Sequence, residues 1–537
     1  MVLLLKSIAC LLVLFTCQLV FLSKGLAKEE LRVAIKEFSI SWDAGDEVIH
    51  SFDYNALLET WRDEMGGKLT VDQMHILAAR LTRTLRDQGF QFHKVIVPTQ
   101  ELKNGVLYLR VIEGRVGLID VRNNQRYSNE LLERPLEKYL NQAIFQPDIE
   151  NTIGLLNTFP GLRVFSYYSR GLNTGEANIN VSVTNEDSYD AVLSTDNHGT
   201  ESTGLYRQLL SFTLLNPTNS ADQLGLTILG SGSPTNTAYA ALSYQRPFKS
   251  ARHNMQMFAS TNVFDVGGDF ESLEITGEST SYKFAYLNKY KTLNRSQANF
   301  SFTYQSSESD IYTRLRDEAL VQSNFDSTEA NQTASLLWNT HAFSAKRGFS
   351  YGVDSSLSFG QWEIETKAIS GDAEISDRQS QPDYTLLSFN PWLRLRLGKP
   401  NTWSGFDFQW KTRAQYAEEK VPSIERMGVS GANSVRSIRP GYYSGDRVVL
   451  STMEWRWLAS PYVQPSFFID AAYAEQLDDQ AEVNSRLSLM GSGIAMKLMY
   501  KNMFLDLSWA TTNTLDSKEL IEPEDSSLFL GRLTFSW

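Results

Sequence analysis

The chain has 537 residues, 50 of them basic and 62 acidic, for a net charge of −12. That balance disfavours a nucleic-acid binder, whose affinity rests on neutralised phosphates. With hydrophobic residues at 42% and only one long apolar run, no bundle of transmembrane helices is expected either.

The apolar run extends from Met1 to about Leu22, with Lys6 and Lys24 near its ends. Small residues at Gly25 and Ala27 precede Lys28, the spacing a signal peptidase cuts, so residues 1–27 are expected to be a cleaved secretory signal. Both cysteines, Cys10 and Cys17, lie in that segment. Thr16 before Cys17 and the continuing apolar run argue against lipidation. Without Lys6 and Lys24 the mature chain has 48 basic against 62 acidic residues, or −14. An exported chain without cysteine cannot use disulfides, which suits a bacterial envelope protein.

From Leu31 to about Thr184 helix and strand signals mix. "LRVAIKEFSI" begins as an alternating strand, and Asp53 can cap a helix through "YNALLETWRDEM". Thr70 and Gln73 form a capping box for "VDQMHILAARLTRTLRDQG", whose Met74, Leu77, Ala78, Leu81 and Leu85 share one face before Gly89 ends the helix. The strands "FQFHKVIVP" and "GVLYLRVIEG" follow. The order strand, helix, helix, strand, strand then repeats: "RVGLIDV", a helix capped by Ser128, a helix opened by Pro147, "LRVFSYYS" and "EANINVSVTN". Two tandem copies of one small α+β module are expected, over 28–115 and 116–184.

After Asn185 the grammar changes. Segments of about ten residues alternate apolar and polar, separated by Gly, Asn, Asp, Ser and Pro. "WSGFDFQWKTRAQYA" puts Phe406, Phe408, Trp410 and Tyr416 on one face and Asp407, Gln409, Lys411, Arg413 and Gln415 on the other. The chain closes on "FLGRLTFSW", where Phe529, Leu533, Phe535 and Trp537 oppose Arg532, Thr534 and Ser536. Aromatic-rich and charge-rich faces on long strands predict an all-β transmembrane barrel, lipid outside and water inside. Residues 185–537, at roughly 22 per strand with its connection, make about 16 antiparallel strands.

Several motifs together resemble the outer-membrane transporters of two-partner secretion (type Vb), within the Omp85 superfamily. "GFQFHKVIVPTQELKNGVLYLRVIEGRV" resembles the pattern of the family's first POTRA module, and "FPGLRVFSYYSRGLNTGEANINVSV" the close of its second. "DNHGTESTGLYRQLLSFTLLNPTNSADQLGLTILGS" and "YQRPF" resemble its entry into the barrel. The resemblance implies a protein that takes an unfolded exoprotein in the periplasm and exports it through the barrel. The implied partners are that client, outer-membrane lipid, and the barrel assembly machinery, which would act on the strand ending at Trp537; nucleic acid is not among them.

The resemblance also gives a reading of "NSVRSIRP", which interrupts the alternation between Asn433 and Pro440. In the superfamily a loop folds back into the lumen, and an arginine at its tip pairs with an aspartate on a neighbouring strand. By position these are Arg436, in a loop near 430–445, and Asp470 of "PSFFIDAAYA". Independently, alternation turns Phe467, Ile469 and Ala471 to lipid and Asp470 inward, where an arginine would need an acid. The tip comprises Val435, Ser437 and Ile438. Ser437 and Ile438 replace the family's glycine and aromatic, and Ala472 replaces a glycine; serine resists backbone angles open to glycine. Only Lys28, Glu29 and Glu30 precede the first strand, too few to thread a barrel as a helix at about 1.5 Å per residue. Plugging is therefore assigned to this loop. In the first module Pro98 and Gln100 are expected to shape the sheet edge that meets the client, proline fixing the turn and the amide satisfying freed backbone.

No enzyme is read in the sequence. The six histidines are scattered without metal spacing, and there is no nucleophile elbow or phosphate-binding glycine loop, so no catalytic residue, metal or cofactor is expected. "ELIEPEDSS" and "EQLDDQAE" read as solvated loops. The alternatives are a barrel assembly factor, whose relatives carry more modules than residues 28–184 can hold, and a passive porin, which leaves the modules unexplained.

Overall fold

The computed structural model describes residues 32–42, 58, 67–232, 237–248, 250–293, 296–314, 323–344, 348–370, 373–398, 405–477, 485–518 and 527–537. The expected signal segment and the helix expected near residues 54–65, Leu58 excepted, lie outside these.

The first module contains β1 (Val33–Ala34), β2 (Glu37–Trp42), β3 (Lys68–Leu69), α1 (Val71–Asp87), β4 (Lys94–Ile96) and β5 (Val106–Ile112). The sequence's single first strand is two short ones: β1 pairs with β3, and β2 joins a sheet of order β2–β5–β4. α1 starts where its chemistry requires. Thr70 accepts from the Gln73 amide at 3.2 Å while the Gln73 side chain accepts from the Thr70 amide at 2.9 Å, satisfying two donors the helix cannot. At its end Gly89 takes φ +108, and a Cβ there would lie 2.8 Å from the Phe145 ring. Met74, Leu77, Ala78, Leu81 and Leu85 pack against Val95, Leu107, Leu109 and Val111. Thr82 ties helix to sheet, donating to the Ala78 carbonyl at 2.8 Å and accepting from Val95 N–H at 2.9 Å.

The order recurs in β6 (Arg115–Arg122), α2 (Asn129–Glu137), α3 (Gln146–Leu156), β7 (Leu162–Arg170) and β8 (Glu176–Glu186), with sheet order β6–β8–β7. By internal contacts the chain forms two compact units. One comprises Met1–Ile119, Lys138–Pro147 and Tyr168–Ile179, the other Asp120–Glu137, Asp148–Tyr167 and Asn180–Trp537. The division runs through the second module.

The barrel lies in the second of these units. Its strands run antiparallel in chain order from Tyr189–Asp196 to Ser527–Ser536, and these two pair to close it. One wall strand is broken: Ala373–Ser380 and Tyr384–Leu397 both pair with Phe349–Ser370, on either side of residues 381–383. Counted as one, it makes sixteen strands among the described residues. The strands Ser323–Ser344 and Phe349–Ser370 have 22 residues each. At about 3.3 Å per residue these run to roughly 70 Å, more than twice the hydrocarbon thickness. Alternation sets the faces as expected. Phe467 and Tyr473 are exposed to the outside, while Phe468, Asp470, Ala472 and Ala474 are buried on the lumenal side.

His93 is fully buried in the first module, between Phe90 and Trp42. Burial, with Arg115 nearby, lowers its pKa from 6.5 to about 4. The unfolded chain therefore binds a proton first. The stabilising effect of keeping His93 neutral is complete above pH 6.5 and is lost as the pH falls from 6.5 to 4, at up to ~1.4 kcal/mol per pH unit. Amide exchange of Val95 and α1 in the full-length protein should rise over that window and level off below it. His93→Phe should flatten the dependence; an unchanged slope would place its source elsewhere.

Candidate functional site

Between the wall strands Gly405–Ala417 and Arg447–Leu458 the chain leaves the barrel wall for residues 418–446. These two strands pair directly, Gln415 with Val448 through Gly405 with Leu458, so the excursion interrupts no ladder. Its limbs meet at Met427–Gly428 and Ser444–Gly445, and its tip turns through Gly431 at φ +107. Val429, Val435, Ile438 and Tyr443 pack on Val448, Leu450, Ala472, Ala474, Leu487 and Leu489 of the lumenal wall. The loop is thus seated by apolar burial as well as by charge.

Arg436 and Asp470 meet. Nε of Arg436 donates to Oδ2 at 2.9 Å and Nη2 to Oδ1 at 3.0 Å, and the Arg436 backbone N–H reaches Oδ2 at 3.2 Å. Asp470 is fully buried and the Arg436 side chain is 12% exposed. Bidentate pairing satisfies both carboxylate oxygens with a planar fork that lysine lacks. Two further partners complete the arginine's surroundings. Nη1 donates to Oε2 of Glu454 at 3.2 Å, and the guanidinium carbon stands 3.3 Å from the Phe468 ring centroid. Glu454 in turn accepts from Arg456 at 2.8 Å. Two acids and two arginines therefore balance locally, as charges in a partly dehydrated lumen must.

The departures at the tip are accommodated. Ser437 is fully buried and is not among the residues with positive φ, so this backbone does not require glycine. Its hydroxyl hydrogen-bonds Thr512, and Gly491 makes room for it: a Cβ there would sit 2.8 Å from the Ser437 oxygen. Ile438 and Ala472 join the apolar cluster. Gly493 does the same for Phe468, whose ring tip would be 2.5 Å from an added Cβ.

Other anchors were not singled out in the sequence. Asp446, fully buried, accepts from Val421 N–H at 3.0 Å, Leu477 N–H at 2.8 Å and Arg426 Nε at 3.3 Å, which binds the root of the loop. Arg413 of the wall donates at 2.8 Å both to the Asn433 carbonyl and to the Ser434 hydroxyl. Glu425 accepts from Asn331 at 3.2 Å and Thr333 at 3.3 Å on another stretch of wall. Alternation would have turned Glu454 and Arg413 inward, but nothing in the sequence says what they meet there. Phe468 carried a signal, being an aromatic at lumenal parity.

Pro98 and Gln100 sit beyond the end of β4. The Gln100 side chain donates to the Tyr108 carbonyl at 2.7 Å and accepts from the Tyr108 amide at 2.8 Å, and it donates to the Pro98 carbonyl at 3.3 Å. It stands in for one more residue of β4, pairing with β5 where the edge strand has ended. Among the described residues no group of three or more His, Cys, Asp or Glu is arranged to hold a metal.

The family model for haemolysin secretion/activation proteins ShlB/FhaC/HecB matches residues 175–498, and that for the ShlB-type POTRA domain matches residues 44–114. The heme/hemopexin transporter protein HuxB of Haemophilus influenzae (strain 86-028NP) is 23% identical over 483 residues, 87% of this chain and 82% of that protein. The fold is similar to CdiB from Escherichia coli, with TM-score 0.72 at 15% identity over 96% of this chain and 92% of that one. CdiB from Acinetobacter baumannii gives 0.66 at 15%, over 95% and 91%.

Removing Asp470 by Asp470→Ala should cost about 3 kcal/mol at the loop, since Arg436 is left buried with only part of its charge matched. Amide exchange at 430–445 should rise while heat-modifiable migration shows the barrel intact. Arg436→Lys should lie between wild type and Arg436→Ala. Exchanging the two charges should not restore protection, because an aspartate at 436 would face Glu454; full restoration would show that Glu454 is irrelevant. Gln100→Ala should free the Tyr108 amide, read as faster exchange at Tyr108 with barrel abundance unchanged.

Proposed function

The chain belongs to the haemolysin secretion/activation family of ShlB, FhaC and HecB, and on that premise we propose how its parts divide the work of two-partner secretion. It is an outer-membrane transporter, with a barrel in the membrane and POTRA domains in the periplasm, that receives an unfolded exoprotein and exports it. We assign the modules to residues 28–115 and 116–184 and the barrel to 185–537. No nucleotide-binding motif is present in the sequence, and folding of the client outside supplies the direction of transport.

The observation that carries this reading is the lumenal loop. A pore that only sieved solutes would not need a loop fastened by a buried arginine between two acids. A pore that must pass an extended chain and be shut when idle does. The Arg436–Asp470 pair serves as the lock of that loop, with Val435, Ser437 and Ile438 as the tip it holds. Pro98 and Gln100 serve recognition by shaping the sheet edge, Gln100 capping the β5 groups beyond β4 so that a client strand is directed to β4 itself.

The outward aromatic face meets lipid. Phe535 and Trp537, stacked at 6.2 Å, close the last strand, and this end is what the barrel assembly machinery would act on. Deleting the protein should remove one large exoprotein from the medium and leave the pattern of other outer-membrane barrels unchanged. Depletion of many barrels instead would indicate an assembly factor. In planar bilayers, excision of 430–445 should raise conductance, whereas excision of 28–30 should not.

A further inference from the structure

The parts of the second module that share the barrel's unit, residues 120–137 and 148–167, meet three turns of chain, the one that joins β8 to the first wall strand and two between wall strands, and the residues that do so have no part in the lock described above. At the first turn Glu186, the last residue of β8, orients Arg126 from within the module, its carboxylate accepting from the Gln125 amide at 2.9 Å and the Arg126 amide at 3.0 Å. The Arg126 guanidinium donates to the Asp187 carbonyl at 2.5 Å and reaches the second turn, donating to the Leu215 carbonyl at 2.8 Å. Asn216 returns the contact, its amide donating to the Arg126 carbonyl at 3.1 Å. At the third turn Thr292 is buried at the end of the strand Ile275–Leu293. Its backbone N–H donates to Oδ1 of Asn151 at 3.0 Å, and its hydroxyl lies 2.9 Å from both the Asn151 carbonyl and Oδ1. Asn151 lies in α3.

The approach at this third turn is closer than a side chain would allow. A Cβ on Gly154 would sit 2.0 Å from the Thr292 carbonyl oxygen, well inside contact. Gly161 repeats the device at the first turn, where a Cβ would lie 2.4 Å from the Asp187 carbonyl. Glycine inside a helix costs stability relative to alanine, so Gly154 needs a reason, and the carbonyl of Thr292 supplies it. The acceptors of Arg126 are main-chain oxygens at turns, which rotamer changes cannot move away. Separating the pieces would leave the Thr292 donors and the Arg126 fork without these partners.

We propose that Asn151, Gly154 and Thr292, with Arg126, are positioning residues that hold the second module against the barrel rim throughout export, so that the client is delivered to a fixed mouth. The inference rests on the transporter reading above and adds to it that residues 120–137 and 148–167 of this module do not swing. It predicts that a covalent bond at the Asn151–Thr292 contact is harmless and that loss of the contact is not.

The test uses the full-length protein in its own membrane and the exoprotein that disappears when the gene is deleted. Asn151→Ala and Gly154→Val should each lower export several-fold with the barrel's heat-modifiable migration intact. In the double variant Asn151→Cys/Thr292→Cys, export should be low when the thiols are reduced and near wild type when they are joined, by oxidation or by a bifunctional methanethiosulfonate. Reversal by reductant on the same sample separates docking from a folding defect. Joined thiols that stop export would overturn the proposal, because the module would then have to move. Single variants exporting at the wild-type level would overturn it equally. If no exoprotein depends on the gene at all, the transporter reading fails first, and that outcome is distinct from either.

Discussion

A strand that crosses hydrocarbon can leave no backbone amide unpaired, and here that demand is concentrated where the first wall strand meets the last. The ladder between Tyr189–Asp196 and Ser527–Ser536 runs over five residue pairs, from Val192 with Ser536 to Asp196 with Arg532. Bonds outside that ladder extend it both ways. Trp537 exchanges backbone bonds with Ala191 at 2.9 and 3.3 Å. At the other end the Asn197 N–H donates to the Gly531 carbonyl at 3.2 Å, and its side chain extends the pairing, accepting from Gly531 N–H at 2.8 Å and donating to the Phe529 carbonyl at 2.9 Å. Without that closure there is no enclosed lumen, and every charge placed inside would instead face lipid.

Once the lumen exists it imposes its own rule, that an interior charge is tolerable only with a partner. The wall obeys it at Arg394 and Asp407, a bidentate pair at 2.8 and 2.7 Å with Asp407 fully buried. The loop obeys it through Arg436. Its fork satisfies Asp470, its remaining nitrogen satisfies Glu454, and Phe468 offers the ring face that a cation prefers to bare hydrocarbon. Charge fixes the loop's position, and Val435 and Ile438 of the loop add apolar packing against Leu487 and Leu489 of the wall.

Much of this was legible in the chain. The capping box at Thr70, the helix face from Met74 to Leu85, the repeated module order and the parity that turns Asp470 inward are all local or periodic signals. The first strand was read as one because "LRVAIKEFSI" begins in alternation, yet its apolar parity shifts after Ile35 to Phe38 and Ile40, and β1 and β2 pair with different strands, a long-range choice that alternation does not specify. The pairing of Arg436 with Asp470 came from resemblance, not from spacing; 34 positions separate them. Glu454, Phe468 and the buried Asp446 became meaningful only with the register of the strands around them. The tip replacement is the clearest case. Ser437 conflicts with its family's glycine until Gly491, on a strand more than fifty residues away, is seen to have given up its side chain to make the space.

That exchange of small residues shows how a loop of this kind can vary without damage to the barrel. The strands flanking it pair with each other directly from Gly405–Leu458 to Gln415–Val448, so the wall is continuous whether or not residues 418–446 are seated. Seating depends instead on side chains: Asp446 at the root, Glu425 on Asn331 and Thr333, Arg413 on the tip, and Arg436 in its acids. These bonds lie outside the ladder that makes the barrel stable, and so their strength can change without weakening it. A transporter needs that separation. Its wall must remain closed to lipid at all times, while in the function proposed above the loop within is held firmly enough to shut the pore and still be displaceable by a client.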